Sequence, residues 1–183
     1  MMSATHTVLL LPGWLDSGPG HWQTLWEAEH GFVRVQQHDW VWPRRGDWMA
    51  RLEETVLATP GPVLLAAHSL GCHLAAAWAA HSAHSSRVQA ALLAAPPDMD
   101  RSDLPPQLAA WPPVPRVPLP FPALVVGSDD DPFSSMAATE RLAHDWGAAL
   151  WRLGRAGHMN ADSSLGNWPE GLARLRGLAT CPP

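Results

Sequence analysis

The sequence predicts an α/β fold: a doubly wound parallel sheet of about six strands with helices on both faces. Three observations carry that expectation. Short apolar runs alternate with helix-period stretches along the chain, the pattern of repeated strand–helix units. Prolines and glycines fall at the ends of those runs, where chain reversals belong. The length of 183 residues suits one domain, spanning 1–183, since domains run to ~100–200 residues.

The elements come in order. Thr7–Leu11 is the first strand, stopped by Pro12-Gly13. Trp22–His30 reads as a helix and Val33–Gln37 as the second strand. Asp47–Ala58 is helical, with Trp48, Leu52 and Val56 on one face at spacing i, i+4, i+8. Val63–Ala67 is the third strand, Ser69–His81 the helix behind it, and Val88–Ala95 the fourth strand. From Pro96 to Pro122, 10 of 27 residues are Pro, which lacks the donor that helix and sheet interiors need. Segment 96–122 is therefore an irregular excursion, a lid or binding loop by its length. Ala123–Gly127, Ser135–Trp146, Ala148–Leu153 and Trp168–Leu178 then read as strand, helix, strand and closing helix. A strand order of 2-1-3-4-5-6 puts the loops after strands 1 and 3 at the switch point, where open α/β sheets bind ligands.

Composition excludes several chemistries. The chain has no Lys, no Tyr and no Ile, so all 12 basic residues are Arg. Without Lys there is no Schiff base and no phosphate-gripping P-loop or kinase lysine. Without Tyr there is no phenolic acid or nucleophile. The missing residue types have AT-rich codons, so base composition accounts for the zeros. The net charge of −5, with no basic stripe, lacks the footprint of nucleic-acid binding. No apolar run approaches the ~18 residues of a spanning helix, and Met1–His6 lacks a basic leader, so no membrane association is expected. Cys72 and Cys181 form no disulfide or metal pattern, which points to a reducing cytoplasm. No cofactor or metal is called for. The chain is expected to be a monomer or small homo-oligomer.

Ala67-His68-Ser69-Leu70-Gly71 stands between a strand and a helix, the context of a G-x-S-x-G nucleophile elbow with Ala in the first glycine position. A sharp strained turn presents the Ser69 hydroxyl, and small residues on either side let strand and helix backbones pass closely. Ser69 opens the helix, so the Leu70 amide points at the substrate oxygen with the positive helix end behind it. Alone, such a serine is also read as a plain helix cap. Residues farther along the chain decide between the two. Acids Asp129, Asp130 and Asp131 stand after the fifth strand and His158 after the sixth, in the order Ser, acid, His of this elbow chemistry. His158 is the candidate general base. Asp131 is the favoured partner acid, with Asp130 and then Asp129 as alternatives that spacing cannot separate. The second oxyanion donor belongs in the turn after the first strand, Trp14 first and Leu15 second.

These residues resemble the small serine hydrolases related to the mammalian retinoblastoma-binding serine hydrolase, a minimal branch of the α/β-hydrolase fold. The matching stretches are LLLPGWLDSGPGHWQTLWE from Leu9, QQHDWVWPRRGDW from Gln36, LLAAHSLGCHLAAAWA from Leu64, VVGSDDDPFSS from Val125 and GRAGHMNADSSLGNWPEG from Gly154. The resemblance implies Ser69, Asp131 and His158 as the triad, the acid being the Asp before Pro132. It also implies a short sheet without a large cap domain. Ala67 departs from the elbow's first glycine. The mammalian member's L-x-C-x-E partner motif is absent around Cys72, which removes any reason to expect the retinoblastoma partnership.

Other residues are weaker candidates. His21, Trp22, Trp40 and Trp111 are expected to contact substrate, against a packing role for each; Asp39 and Trp42 stand beside Trp40. His68 must point away from the pocket face. His81 and His84 share a helical face without a third metal ligand. The expected activity is hydrolysis of a small acyl ester or thioester through an acyl-enzyme. The alternatives are a non-catalytic binding protein on the same fold, and acyl transfer or peracid chemistry with the same triad.

Overall fold

The computed structural model describes residues 6–180; the rest of the N-terminal stretch in which no leader is expected, and Cys181, lie outside them. Six strands form one parallel sheet: β1 (Thr7–Leu11), β2 (Val33–Arg34), β3 (Val63–His68), β4 (Val88–Ala94), β5 (Ala123–Gly127) and β6 (Ala149–Arg152), in spatial order β2-β1-β3-β4-β5-β6. Four of the five α-helices among the described residues connect strands, α1 (Trp22–His30), α2 (Arg45–Ala58), α3 (Leu70–His81) and α4 (Met136–Asp145); α5 (Pro169–Leu178) follows β6, and the proline-rich segment joins β4 to β5.

Alternation along the strands splits the core in two. Leu9, Leu11, Leu65, Ala67, Ala91 and Leu93 face one side, packed with α2, α3 and α4. Val8, Leu10, Leu64, Ala66, Ala90 and Leu92 face the other, against Trp22 and Trp26 of α1 and Leu172 and Leu175 of α5. The strands are apolar on both faces because both are covered. Helix α3 is buried from Leu70 to Ala79, which is why it is rich in Ala rather than amphipathic. Among the described residues no helix is long and apolar enough to cross a membrane.

Two boundaries differ instructively from the sequence reading. β2 has two residues, not five. Among the described residues its only strand partner is β1, and after Val35 donates to the Leu10 carbonyl (2.9 Å) that strand ends at Leu11, before Pro12, leaving Gln36 and Gln37 no ladder to join. Helix α3 starts at Leu70 because Ser69 adopts φ 54°, ψ −124°, outside any helical region.

The proline-rich excursion is tied to the body at several points. Trp111 is fully buried, donates its Nε1–H to the Pro43 carbonyl (2.9 Å) and packs edge-on against Trp48. Arg45 donates to the Trp111 and Pro113 carbonyls (both 2.6 Å). Farther on, Trp146 donates to the Pro115 carbonyl (3.0 Å). Prolines cannot donate, so side chains of the body supply donors to the segment's carbonyls instead.

Candidate active site

The strand ends fix the site. Leu11 pairs with Ala67, so the β1 turn Pro12-Gly13-Trp14 lies directly beside the elbow. Contact there is tight: a Cβ on Gly13 would sit 2.7 Å from the Ser69 Cβ, and one on Gly71 would sit 2.2 Å from the Leu11 carbonyl oxygen. Gly71 is what lets α3 start against the end of β1. The left-handed φ of Ser69 is a strained position for a residue with a side chain, and it lifts the hydroxyl out of the strand line.

A hydrogen-bonded relay leads away from that hydroxyl. Ser69 Oγ lies 2.9 Å from His158 Nε2, and His158 Nδ1 lies 3.0 Å from both carboxylate oxygens of Asp131. With its proton on Nδ1, the ring donates to the carboxylate and accepts from the hydroxyl. The His158 and Asp131 side chains are nearly buried, and Asp131 also accepts from the Phe133 amide (2.9 Å). The neighbouring acids are engaged elsewhere. Asp130 accepts from Ser128 Oγ (2.9 Å) and the Gly157 amide (2.8 Å), tying the β5 loop to the β6 loop, and these bonds, the one from Gly157 first, hold its carboxyl below the usual carboxylate range. Asp129 pairs with Arg152 at the surface. Of the three acids left open by spacing, Asp131 is the one that meets His158.

The amides of Trp14 and Leu70 both belong to residues lining the cleft, and neither has a hydrogen-bond partner among the described residues. Leu15, the second candidate in that turn, donates its amide to the Trp40 carbonyl (3.1 Å) and is not free for an oxyanion. Two free backbone donors flanking a hydroxyl are suited to stabilising the charge of a tetrahedral intermediate.

The four expected substrate contacts lie outside the cleft. Trp22 is buried and donates its Nε1–H to the Met159 carbonyl (3.0 Å). His21 is buried; its Nδ1 accepts from the Gln23 amide, capping α1, and its ring packs 4.5 Å from His68. Trp40 packs on Trp48 in the core below, and Trp111 is the buried anchor of the excursion. For Trp22 and Trp111 burial of a large ring outweighs exposure at the rim; Trp40 is half-buried against Trp48, and His21 is held inside by its cap bond. Asp39 and Trp42 form a separate surface hollow with His38, Arg44, Asp47 and Trp48. His81 and His84 point elsewhere, to the Ala77 carbonyl and to Glu53.

The cleft of about 380 Å³ is instead walled by residues of 97–108, the first half of the excursion, with Met99, Leu104 and Leu108 apolar inside it. Phe133 closes the other side, 4.6 Å from the His158 ring and 49% exposed. Two bonds pin this wall to the acid loop: the Asp98 amide to the Phe133 carbonyl (3.0 Å), and Arg101 Nη1 to the Pro132 carbonyl (2.8 Å). Sequence reasoning passes over Met99, Leu104, Leu108 and Phe133 because nothing but their place in loops distinguishes them.

The loop that bears His158 has its own supports. His68 Nε2 donates to the His158 carbonyl (2.8 Å), so the residue before Ser69 points under the cleft and supports the loop that bears His158. Burial, aided by His21 and His158, holds the His68 pKa well below its ordinary value; the bond to that carbonyl opposes the shift. His21 falls from 6.5 to about 4, through burial first and then the Arg34 guanidinium and His158. His73, whose Nε2 meets the Pro97 carbonyl, also falls to about 4 through burial. These rings stay neutral when folded but protonate near pH 6.5 when unfolded. The unfolded chain therefore binds more protons between about pH 6.5 and 4, and stability falls as pH drops through that window. Each ring contributes up to about 1.4 kcal/mol per pH unit. Urea unfolding is expected to show a lower midpoint at pH 5.5 than at pH 7, with a shallower fall for His73→Gln; an unchanged slope in that variant would remove His73 from the account.

Comparison with known proteins fits this geometry. A family model described as "Serine hydrolase" matches residues 8–177. A YdeN-like protein from Pectobacterium atrosepticum is 28% identical, with a TM-score of 0.83, over 96% of this chain and 91% of that one. The ydeN gene product of Bacillus subtilis is 20% identical, with a TM-score of 0.74, over 97% of this chain and 100% of that one. The carboxylesterase CesB of B. subtilis shares the fold at 14% identity and a TM-score of 0.65, over 97% of this chain and 85% of that one. Among curated proteins no match was found.

Proposed function

The chain belongs to the serine hydrolase family, and from that membership we propose that it cleaves small carboxylic esters or thioesters through an acyl-enzyme on Ser69. One observation carries the reading: the unbroken relay from the Ser69 hydroxyl through His158 to Asp131. His158 takes the hydroxyl proton as Ser69 attacks the acyl carbon, and Asp131 steadies the imidazolium that forms. The Trp14 and Leu70 amides receive the oxyanion. His158 then gives its proton to the leaving alcohol or thiol, and water repeats the sequence to free the acid. A binding role without turnover leaves this relay, and the strain at Ser69, without a purpose.

The acyl half fits the apolar wall of Met99, Leu104 and Leu108. A volume of about 380 Å³ lies at the small end of ligand sites, which run to ~300–1,000 Å³, so short and medium acyl groups are expected. Two measurements test the reading. Reaction with a fluorophosphonate followed by peptide mass mapping is expected to place the adduct on Ser69. A p-nitrophenyl ester series from acetate to palmitate is expected to peak at short or medium chains. An unlabelled Ser69 in folded protein would sink the hydrolase reading; a peak at palmitate would sink the substrate size.

A further inference from the structure

The cleft contains a polar group that the relay does not use. Asn160 lines it, two residues beyond His158 on the same loop. Its amide orientation is fixed by its neighbours. Oδ1 accepts from the Asp162 amide (3.1 Å) and faces the Ser163 hydroxyl (3.5 Å), as the cap of the short turn Ala161–Ser163. A donor facing that atom requires it to be the oxygen, so the NH₂ is the other end. Nδ2 has no partner among the described residues and is not among their buried unpaired atoms, so it remains open to solvent. The loop beneath it is held rigidly: Met159 is fully buried with its carbonyl bonded to Trp22, and the His158 carbonyl is bonded to His68.

The other neutral side-chain donors lining the cleft are already engaged, and the charged Arg101 is turned to its own partners. Trp14 Nε1 donates to the Val41 carbonyl, Ser69 to His158, and Arg101 to Asp103 and the Pro132 carbonyl. Asn160 is thus the neutral side-chain donor left free. Its place relative to the reaction follows from chemistry. His158 must protonate the leaving oxygen, so the leaving group lies on the His158 side of the scissile bond. The apolar wall, Met99 to Leu108, receives the acyl half.

Building on the ester-hydrolase reading, we propose that Asn160 is a specificity residue whose Nδ2–H donates to an acceptor oxygen in the alcohol half of the substrate. The site then favours esters of alcohols bearing a nearby hydroxyl or ether oxygen, such as polyol esters, over plain alkyl esters. One neutral hydrogen bond gained in the complex is worth about fivefold in kcat/KM.

The test uses an isosteric pair, 2-methoxyethyl butyrate and butyl butyrate, which differ by one oxygen in place of a methylene. Each rate is divided by that ester's own hydroxide-catalysed rate to remove intrinsic reactivity. Wild type is expected to favour the methoxyethyl ester about fivefold after this correction. Asn160→Ser keeps a capping oxygen for Asp162 but lacks the NH₂; its preference, read as the ratio of kcat/KM between the two esters so that any change common to both cancels, is expected to vanish. Asn160→Asp also keeps the cap and removes the donor, and the ratio between the two esters cancels its effect on His158. An equal loss on both esters in the variants would make Asn160 a structural cap and overturn the proposal. So would a wild-type ratio equal to the hydroxide ratio, with Ser69 still labelled by a fluorophosphonate; in that case the hydrolase reading stands and the Asn160 assignment alone fails. No turnover of either ester together with no label on Ser69 would overturn both.

Discussion

Ser69→Ala is expected to lower kcat toward p-nitrophenyl butyrate by about 10⁶-fold, and Asp131→Asn by about 10⁴-fold. The two losses have different causes. Without the hydroxyl there is no acyl-enzyme, and the residual rate is what the Trp14 and Leu70 amides and the cleft supply by binding. With asparagine at 131 the relay keeps its shape, but an amide NH₂ facing Nδ1 favours the tautomer that carries its proton on Nε2, pointing the wrong end of the ring at Ser69. Asp130→Asn is the matched control. It retains an oxygen for the Gly157 amide and does not touch His158, so kcat is expected to stay within about threefold. Steady-state rates of the purified variants, with fluorophosphonate labelling as a check on Ser69, separate the three outcomes. Reversal of the two aspartates would show that the acid is Asp130.

Gly71→Ala is expected to damage both stability and turnover. A Cβ at 71 falls 2.2 Å from the Leu11 carbonyl oxygen and 2.8 Å from that of Pro12. Both are backbone atoms at the end of a central strand, so no side chain can swing aside. Overpacking of this kind costs about 3 kcal/mol, or about 6–12 °C in Tm for a domain of this size. The displaced chain is the turn that carries the Trp14 amide, and losing one oxyanion donor lowers kcat by about 10²–10³. Gly177→Ala provides the contrast: a Cβ added there in α5 would meet nothing within 4 Å, and the change is expected to raise Tm slightly. Calorimetry and kcat measured on the same samples check both. A Gly71→Ala protein with wild-type Tm and turnover would contradict the close approach at the elbow.

The parts of this fold that chain-local rules govern were legible in the sequence. Thr7–Leu11, Ala123–Gly127 and Trp22–His30 end where Pro12-Gly13, Ser128 and Gly31 stop them, and each matches its expected bounds. Ser69, His158 and the run of three acids were legible for a related reason, since each stands past a strand end, a position that sequence order reveals; which acid meets His158 is set by the folded loops. The wall of the cleft was not. Trp111 and Leu108 stand three residues apart in one proline-rich stretch, and which of them is buried as an anchor and which lines the cleft depends on where Pro43 and Trp48 lie, 60 or more residues away. Local pattern says that a tryptophan is large and apolar. Only tertiary contact says whether it is floor or door. The same holds for Trp22 and His68, whose polar atoms brace the histidine loop.

The apolar wall has a further consequence for how such a protein diversifies. The proposed chemistry draws on four separate strand ends, those of β1, β3, β5 and β6, whereas over half of the residues that line the cleft stand in one uninterrupted stretch, 97–108. That stretch leaves the body after β4 and is docked by main-chain carbonyl bonds at Phe133 and Pro132, which are indifferent to side-chain identity at their acceptors. It is in effect a cassette. Changes at Met99, Leu104 and Leu108 are expected to reshape the cleft while both docking bonds, one of them from Arg101, stay in place.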